Sequence, residues 1–148
     1  MFSCKNEKQT VVSKEKPVLK ETLPPPPVEF MSKLQTETHT IDYLFRNTNF
    51  SITQVEPSAV QPVIAIMGTE RVPEIKASCV SPVRLTFVGD DGIVCDSEMY
   101  MGLDCLYQEY YINGKATYAA LVTNQCKNYL TNLIMQANSV KPPQPQGQ

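Results

Sequence analysis

Apolar and polar positions alternate most clearly between residues 83 and 121. Val83, Leu85 and Phe87 alternate with Arg84 and Thr86, which predicts a half-buried strand. Ile93, Cys95, Ser97, Met99 and Met101 alternate with Asp96, Glu98 and Tyr100, a second strand with Asp96 and Glu98 expected on its solvent side. Cys105 to Ile112 reads as a tyrosine-rich third strand and Lys115 to Leu121 as a fourth, joined by Asn113-Gly114, the strongest two-residue hairpin signal. Gly89-Asp90-Asp91-Gly92 and Gly102-Leu103-Asp104 supply the other turns. Beyond Leu121 the period changes. Cys126, Tyr129, Leu130, Leu133, Ile134 and Ala137 share one face of a helix, and Lys127, Asn128, Thr131, Asn132 and Gln136 the other, with Thr123 or Asn124 as N-cap.

The first half has a weaker pattern. Thr38 to Phe45 suits a short helix or a strand, and Phe50 to Val55 alternates as a strand. Val60 to Met67 is apolar with Pro62 inside it, which fits an edge strand or the first turn of a helix, and Arg71 to Ser78 reads as a loop. The fold class expected is α+β: a four-stranded antiparallel meander with a C-terminal amphipathic helix packed on it, plus a short N-terminal strand or helix element. Residues 1–33 read as a disordered Lys/Glu/Pro-rich tether, 34–138 as one domain and 139–148 as a disordered Pro/Gln tail. In the tether, Pro24-Pro25-Pro26-Pro27 favours extended polyproline II, a semi-rigid spacer of about 3.1 Å per residue; a ligand for an SH3- or WW-type groove is the other reading.

The pattern also selects a register. A three-residue loop Asp90-Asp91-Gly92 sets Gly89 against Ile93, Phe87 against Cys95, Leu85 against Ser97 and Val83 against Met99, so both apolar sets share a face. A loop of two or four residues would put Phe87 on the face of Val94 and Asp96. Extended backwards, the pairing brings Cys79 beside Cys105 and favours a Cys79–Cys105 disulfide. Cys95 then lies on the core face and Cys126 on the apolar face of the helix, and the remaining pair is Cys95–Cys126.

The 148 residues suit one domain, 42% apolar composition supports a core, and a net charge of −2 argues neither for nucleic acid nor for a strongly anionic surface. No apolar run reaches the roughly 18 residues of a spanning helix. The five cysteines are Cys4 and a set of four at 79, 95, 105 and 126. An even set without CxxC suits two disulfides in an exported compartment, with buried thiols and a metal site as alternatives. Phe2-Ser3-Cys4-Lys5, a small residue before a lone cysteine and then a lysine-rich run, resembles the processing point of a bacterial envelope lipoprotein. The resemblance implies lipid attachment at Cys4, a leader upstream of Met1, and an exported, membrane-tethered domain.

Candidate chemistry changes this picture little. Asp90, Asp91, Asp96, Glu98 and Asp104 suggest a cation site, but Gly92 falls at the third position of an EF-hand pattern begun at Asp90, so that pattern fails. Tyr100, Tyr107, Tyr110, Tyr111, Tyr118 and Tyr129 make either an aromatic binding face or rings packed across strands. His39, the single histidine, stands beside Thr40 and Asp42 without a recognisable nucleophile. Asn49-Phe50-Ser51 is a formal glycosylation sequon. No cofactor, metal site or catalytic set is expected. The function expected is a non-catalytic envelope module that binds a protein partner or supports an assembly. The alternative is an accessory subunit of an intracellular complex with reduced cysteines.

Overall fold

The computed structural model describes residues 19–20, 23–48, 50–76, 79–102 and 104–139. Cys4, Asn49, the tether up to residue 18 and the tail from residue 140 lie outside the described residues. The elements in order are β1 (Leu19–Lys20), α1 (Val28–Glu37), β2 (Thr40–Phe45), β3 (Ser51–Gln54), α2 (Pro57–Ala65), β4 (Ile75–Lys76), β5 (Val83–Gly89), β6 (Gly92–Met101), β7 (Leu106–Ile112), β8 (Lys115–Leu121) and α3 (Asn124–Ser139). The class is α+β, as the pattern predicts. The meander β5–β8 is present, but it is part of an open antiparallel sheet of six strands in the order β3-β2-β5-β6-β7-β8. The hairpin β2–β3 adds the other two, with β2 lying against β5 so that Tyr43 faces Leu85 and Phe45 faces Val83.

Cross-strand register sorts the side chains into rows. On the inner face one row reads Tyr43, Leu85, Ser97, Tyr110, Tyr118, and the next reads Phe45, Val83, Met99, Gln108, Ala120. Phe30 and Leu34 of α1, Val60, Val63 and Ile64 of α2, and Cys126, Leu130, Leu133 and Ala137 of α3 pack with these rows in one core. The three described helices therefore all serve the inner face.

Three sequence expectations change here. First, α1 occupies residues read as tether. Phe30 is buried and its ring meets Tyr110 edge-on at 5.4 Å and Tyr118 at 5.0 Å. The prolines before it do take an extended form (Pro27 at φ −72°, ψ 161°), but they are docked: Pro26 is buried and the Pro24 carbonyl accepts from the Ala119 amide at 3.0 Å. Second, Val60 to Met67 is mostly helix. Pro57 opens α2, and the buried set Val60, Val63, Ile64 and Met67 has helical spacing that the interior Pro62 obscured. Third, the β5–β6 pairing is as expected at Phe87–Cys95, Leu85–Ser97 and Val83–Met99, but the turn is shorter. Gly89 faces Gly92, Val88 faces Ile93, and the register shifts beside Phe87, leaving Val94 as the extra residue. A two-residue turn is compatible with the hydrophobic pattern because the bulge absorbs the slip.

The hairpin β7–β8 turns on Asn113 and Gly114 at φ 53° and 80°, the two positive values a type I′ turn requires. Thr123 caps α3: its hydroxyl accepts from the Cys126 amide at 3.0 Å and donates to the Ile66 carbonyl at 2.7 Å, which also ties the end of α2 to the start of α3. Among the described residues no helix is long and apolar enough to cross a membrane.

Candidate functional site

Among the described residues no core helix lies on the outer face of the sheet, and its polar rows meet at β5, β6 and β7. Leu44, Arg84, Glu98, Glu109 and Ala119 form one row. Thr86, Asp96 and Tyr111 form the row on one side of it, and Tyr100, Tyr107 and Leu121 the row on the other. Glu98 and Glu109 are thus directly opposed, and both are buried, although Asp96 and Glu98 were expected to face solvent. Like charges across a strand pair are unfavourable, and each carboxylate needs its own donors.

Glu98 has two arginines. Arg46 reaches its Oε2 from the end of β2 at 2.5 Å, and Arg84 reaches the same oxygen from the neighbouring strand. Arg84 also contacts Asp96 at 3.2 Å and lies 5.8 Å from the centre of the Tyr111 ring. Asp96 accepts from Thr86 at 2.6 Å. Glu109 accepts from the hydroxyls of Tyr111 at 2.8 Å and Tyr100 at 3.3 Å. Burial pushes the Glu98 carboxyl up, but Arg46, the neighbouring Ser81 hydroxyl and Arg84 outweigh it and hold the group below its usual range. Burial works against the Arg84 charge as well, and Glu98 and Asp96 more than restore it. Burial, then Glu109, pushes the Tyr111 phenol up to about 12. Tyr100 moves up for the same reasons.

A pit of about 380 Å³ opens onto this network, lined by Arg46, Ser81, Arg84, Glu98, Tyr100 and Tyr111. Cys79 and Val80 complete its wall. Cys79 is paired with Cys105 as a disulfide with a Cα–Cα distance of 5.9 Å, the pairing that the strand register favours. The expected second bridge is absent. Cys95 and Cys126 do face the core, one from β6 and one from α3, but they are free thiols, both buried and both pushed up to about 12, chiefly by burial. Each lies close enough to Tyr110 to help raise its phenol.

The other sequence candidates fall elsewhere. A larger cleft of about 570 Å³ lies at the sheet tip, where Lys33, Glu37, His39, Asp90 and Asp91 converge. His39 contacts Asp90 at 3.0 Å and Thr40 at 3.1 Å, but the Asp90 side chain is 95% exposed, so the pair is a solvated surface contact. Asp104 stands apart from this cleft and from the pit linings. Among the described residues no group of three or more His, Cys, Asp and Glu side chains is placed to hold a metal ion. The tyrosines serve both faces: Tyr110 and Tyr118 pack on Phe30, Tyr43 pairs with Tyr129, and Tyr100 stacks on Tyr107 at 4.5 Å. Sequence reasoning missed Arg46 and Arg84. Arg84 was assigned only to the solvent side of its strand, and Arg46 falls in a turn that carries no pattern.

The pit offers fixed charges and hydroxyls. Its carboxylate is held ionised, its arginine protonated and its phenols neutral around neutrality. That set suits recognition of a ligand rather than transfer of a proton to one. No family model, curated protein or solved structure matches this chain.

Proposed function

We propose that the chain is a non-catalytic binding or assembly-supporting module of the bacterial cell envelope, tethered by a lipid on Cys4. The Cys79–Cys105 pair supports this reading most, because a disulfide persists where the compartment is oxidising. The pit of paired charges beside it is the binding face, with a protein partner as its occupant. The two buried thiols Cys95 and Cys126 favour a second reading, an accessory subunit of an intracellular complex.

One experiment separates the two. The protein is made from its own gene in its own cells, trapped with an alkylating reagent at lysis and mapped by mass spectrometry. The envelope reading expects an acylated Cys4 peptide in the membrane fraction and Cys79 joined to Cys105. Unmodified Cys4 with Cys79 and Cys105 both alkylated overturns it and supports the intracellular subunit.

A further inference from the structure

Among the described residues the buried apolar side chains fall into two groups that share no member. The large one fills the space between the sheet and the three helices. The small one lies on the outer face and consists of Val72, Tyr107 and Ala119, with Leu23, Tyr100 and Leu121 around it. The disulfide belongs to the small group, against which Cys79 and Cys105 both pack. Satellite clusters of this kind form under segments laid over a domain that is already complete.

The segment here is a strap. From Glu70 to Lys76 the chain runs beside β7 and β8, with Val72 packed against Tyr107 and Ala119. The Glu70 carbonyl accepts from the Leu121 amide at 2.8 Å, and β4 pairs with β1 over two residues. Val72, 2% exposed, is buried in the small group. Its far end is fixed covalently at Cys79. We propose that the Cys79–Cys105 bond is a redox latch: breaking it frees the strap from β7 and β8 and uncovers the Tyr100–Tyr107 stack, while the six-stranded sheet and its helices stay folded. Tyr100 and Cys79 both line the pit, so release of the strap also opens the pit's wall.

The chemistry is thiol exchange with a dithiol reductant. Its thiolate attacks one sulfur of the bridge, the Cys79–Cys105 bond breaks, and the departing sulfur takes a proton. The reductant's second thiol then displaces the remaining cysteine. Two cysteine thiols and one oxidised reductant result. Access favours this bond, since both cysteines are half-buried and Cys79 is on the wall of an open pit. Cys95 and Cys126 stay out of the exchange because they are 1% and 0% exposed and are held protonated.

The latch acts on the face assigned above to partner binding and rests on that reading for its purpose. Its test reads the strap alone, so a missing partner and a fixed strap are told apart. The full chain is treated with dithiothreitol without denaturant, then with iodoacetamide, and followed by limited trypsin digestion and hydrogen exchange. Arg71 is exposed, so cleavage after it is limited by detachment of the backbone around it. Reduction is expected to speed that cleavage by about tenfold or more. Iodoacetamide is expected to label Cys79 and Cys105 and to spare Cys95 and Cys126, while amides of β5, β6 and α3 keep their protection. Unchanged cleavage after confirmed reduction overturns the latch. So does labelling of all four cysteines with loss of protection in β5 and α3, since the bond would then hold the whole fold. The double variant Cys79→Ser/Cys105→Ser should behave as the reduced protein without any reductant, and a variant cleaved as slowly as the oxidised protein also overturns it.

Discussion

Gly68 sits where a side chain has no room. A Cβ there would stand 1.9 Å from the Leu121 carbonyl oxygen, which is backbone and cannot swing aside. The close approach lets its amide donate to Gln108 Oε1 at 3.0 Å and its carbonyl accept from the Tyr110 hydroxyl at 3.0 Å. Gln108 is fully buried and also donates to Ser97 at 3.2 Å, so a chain reversal is fastened to the sheet by satisfied polar groups. Gly68→Ala should therefore cost about 1–3 kcal/mol or more by overpacking, read as a lower urea midpoint with an unchanged slope. Glu98 gives a pH prediction. Its folded-state pKa is depressed, so its contribution is complete above the ordinary glutamate value and is lost as pH falls through the lower folded value. Thermal melts between about pH 5 and 2 should show a steeper acid decline for the wild type than for Glu98→Gln, and parallel curves would refute it. The register located Glu98 opposite its neighbours, but nothing in the local pattern showed that arginines from two other places would bury it.

The element most at odds with the pattern is α1. A run of prolines next to Lys and Glu looks like a solvated tether, and the two apolar residues that dock the helix, Phe30 and Leu34, make only one i,i+4 pair. The rest of its stability comes from packing, which local periodicity does not report. Phe30→Ala should cost about 3–5 kcal/mol in equilibrium unfolding, against about 0.5 kcal/mol for a residue in a free tether. The meander was legible because β5 and β6 alternate in sequence and the turns carry Gly or Asn; β7 and β8, with apolar groups on both faces, were legible through the Asn113-Gly114 turn between them. The β5–β6 tip shows the limit. The hydrophobic rows fix the pairing from Phe87 downward, but a turn of three and a turn of two with a bulge satisfy them equally, and Gly92 at φ 113° suits both.

At the scale of the molecule, the sheet grows from four strands to six because β2, forty residues or so before its partner, pairs with β5 through contacts that no window of sequence contains. The disulfide was legible because it follows from a register, whereas the second bridge was inferred from parity and from a shared core-facing placement, and Cys95 and Cys126 do both face the core but as free thiols. Cys79 and Cys105 are 26 residues apart, so their bond should contribute about 3–4 kcal/mol to global stability by restricting the unfolded chain. Urea denaturation of the native protein and of the Cys79→Ser/Cys105→Ser variant checks this, and equal midpoints would mean the reduced unfolded chain is already compact. The two unpaired thiols have a consequence for how the protein matures. Four cysteines lie within one stretch of chain, and thiol chemistry by itself has no reason to prefer Cys79 with Cys105. Once the sheet and α3 close, the sulfurs of Cys95 and Cys126 are sealed from any oxidant, and of these four only Cys79 and Cys105 stay within reach of one. A bond made to Cys95 or Cys126 before the core closes would have to be undone by thiol exchange before these side chains can be buried. Two side chains that form no bond thereby decide which bond is made.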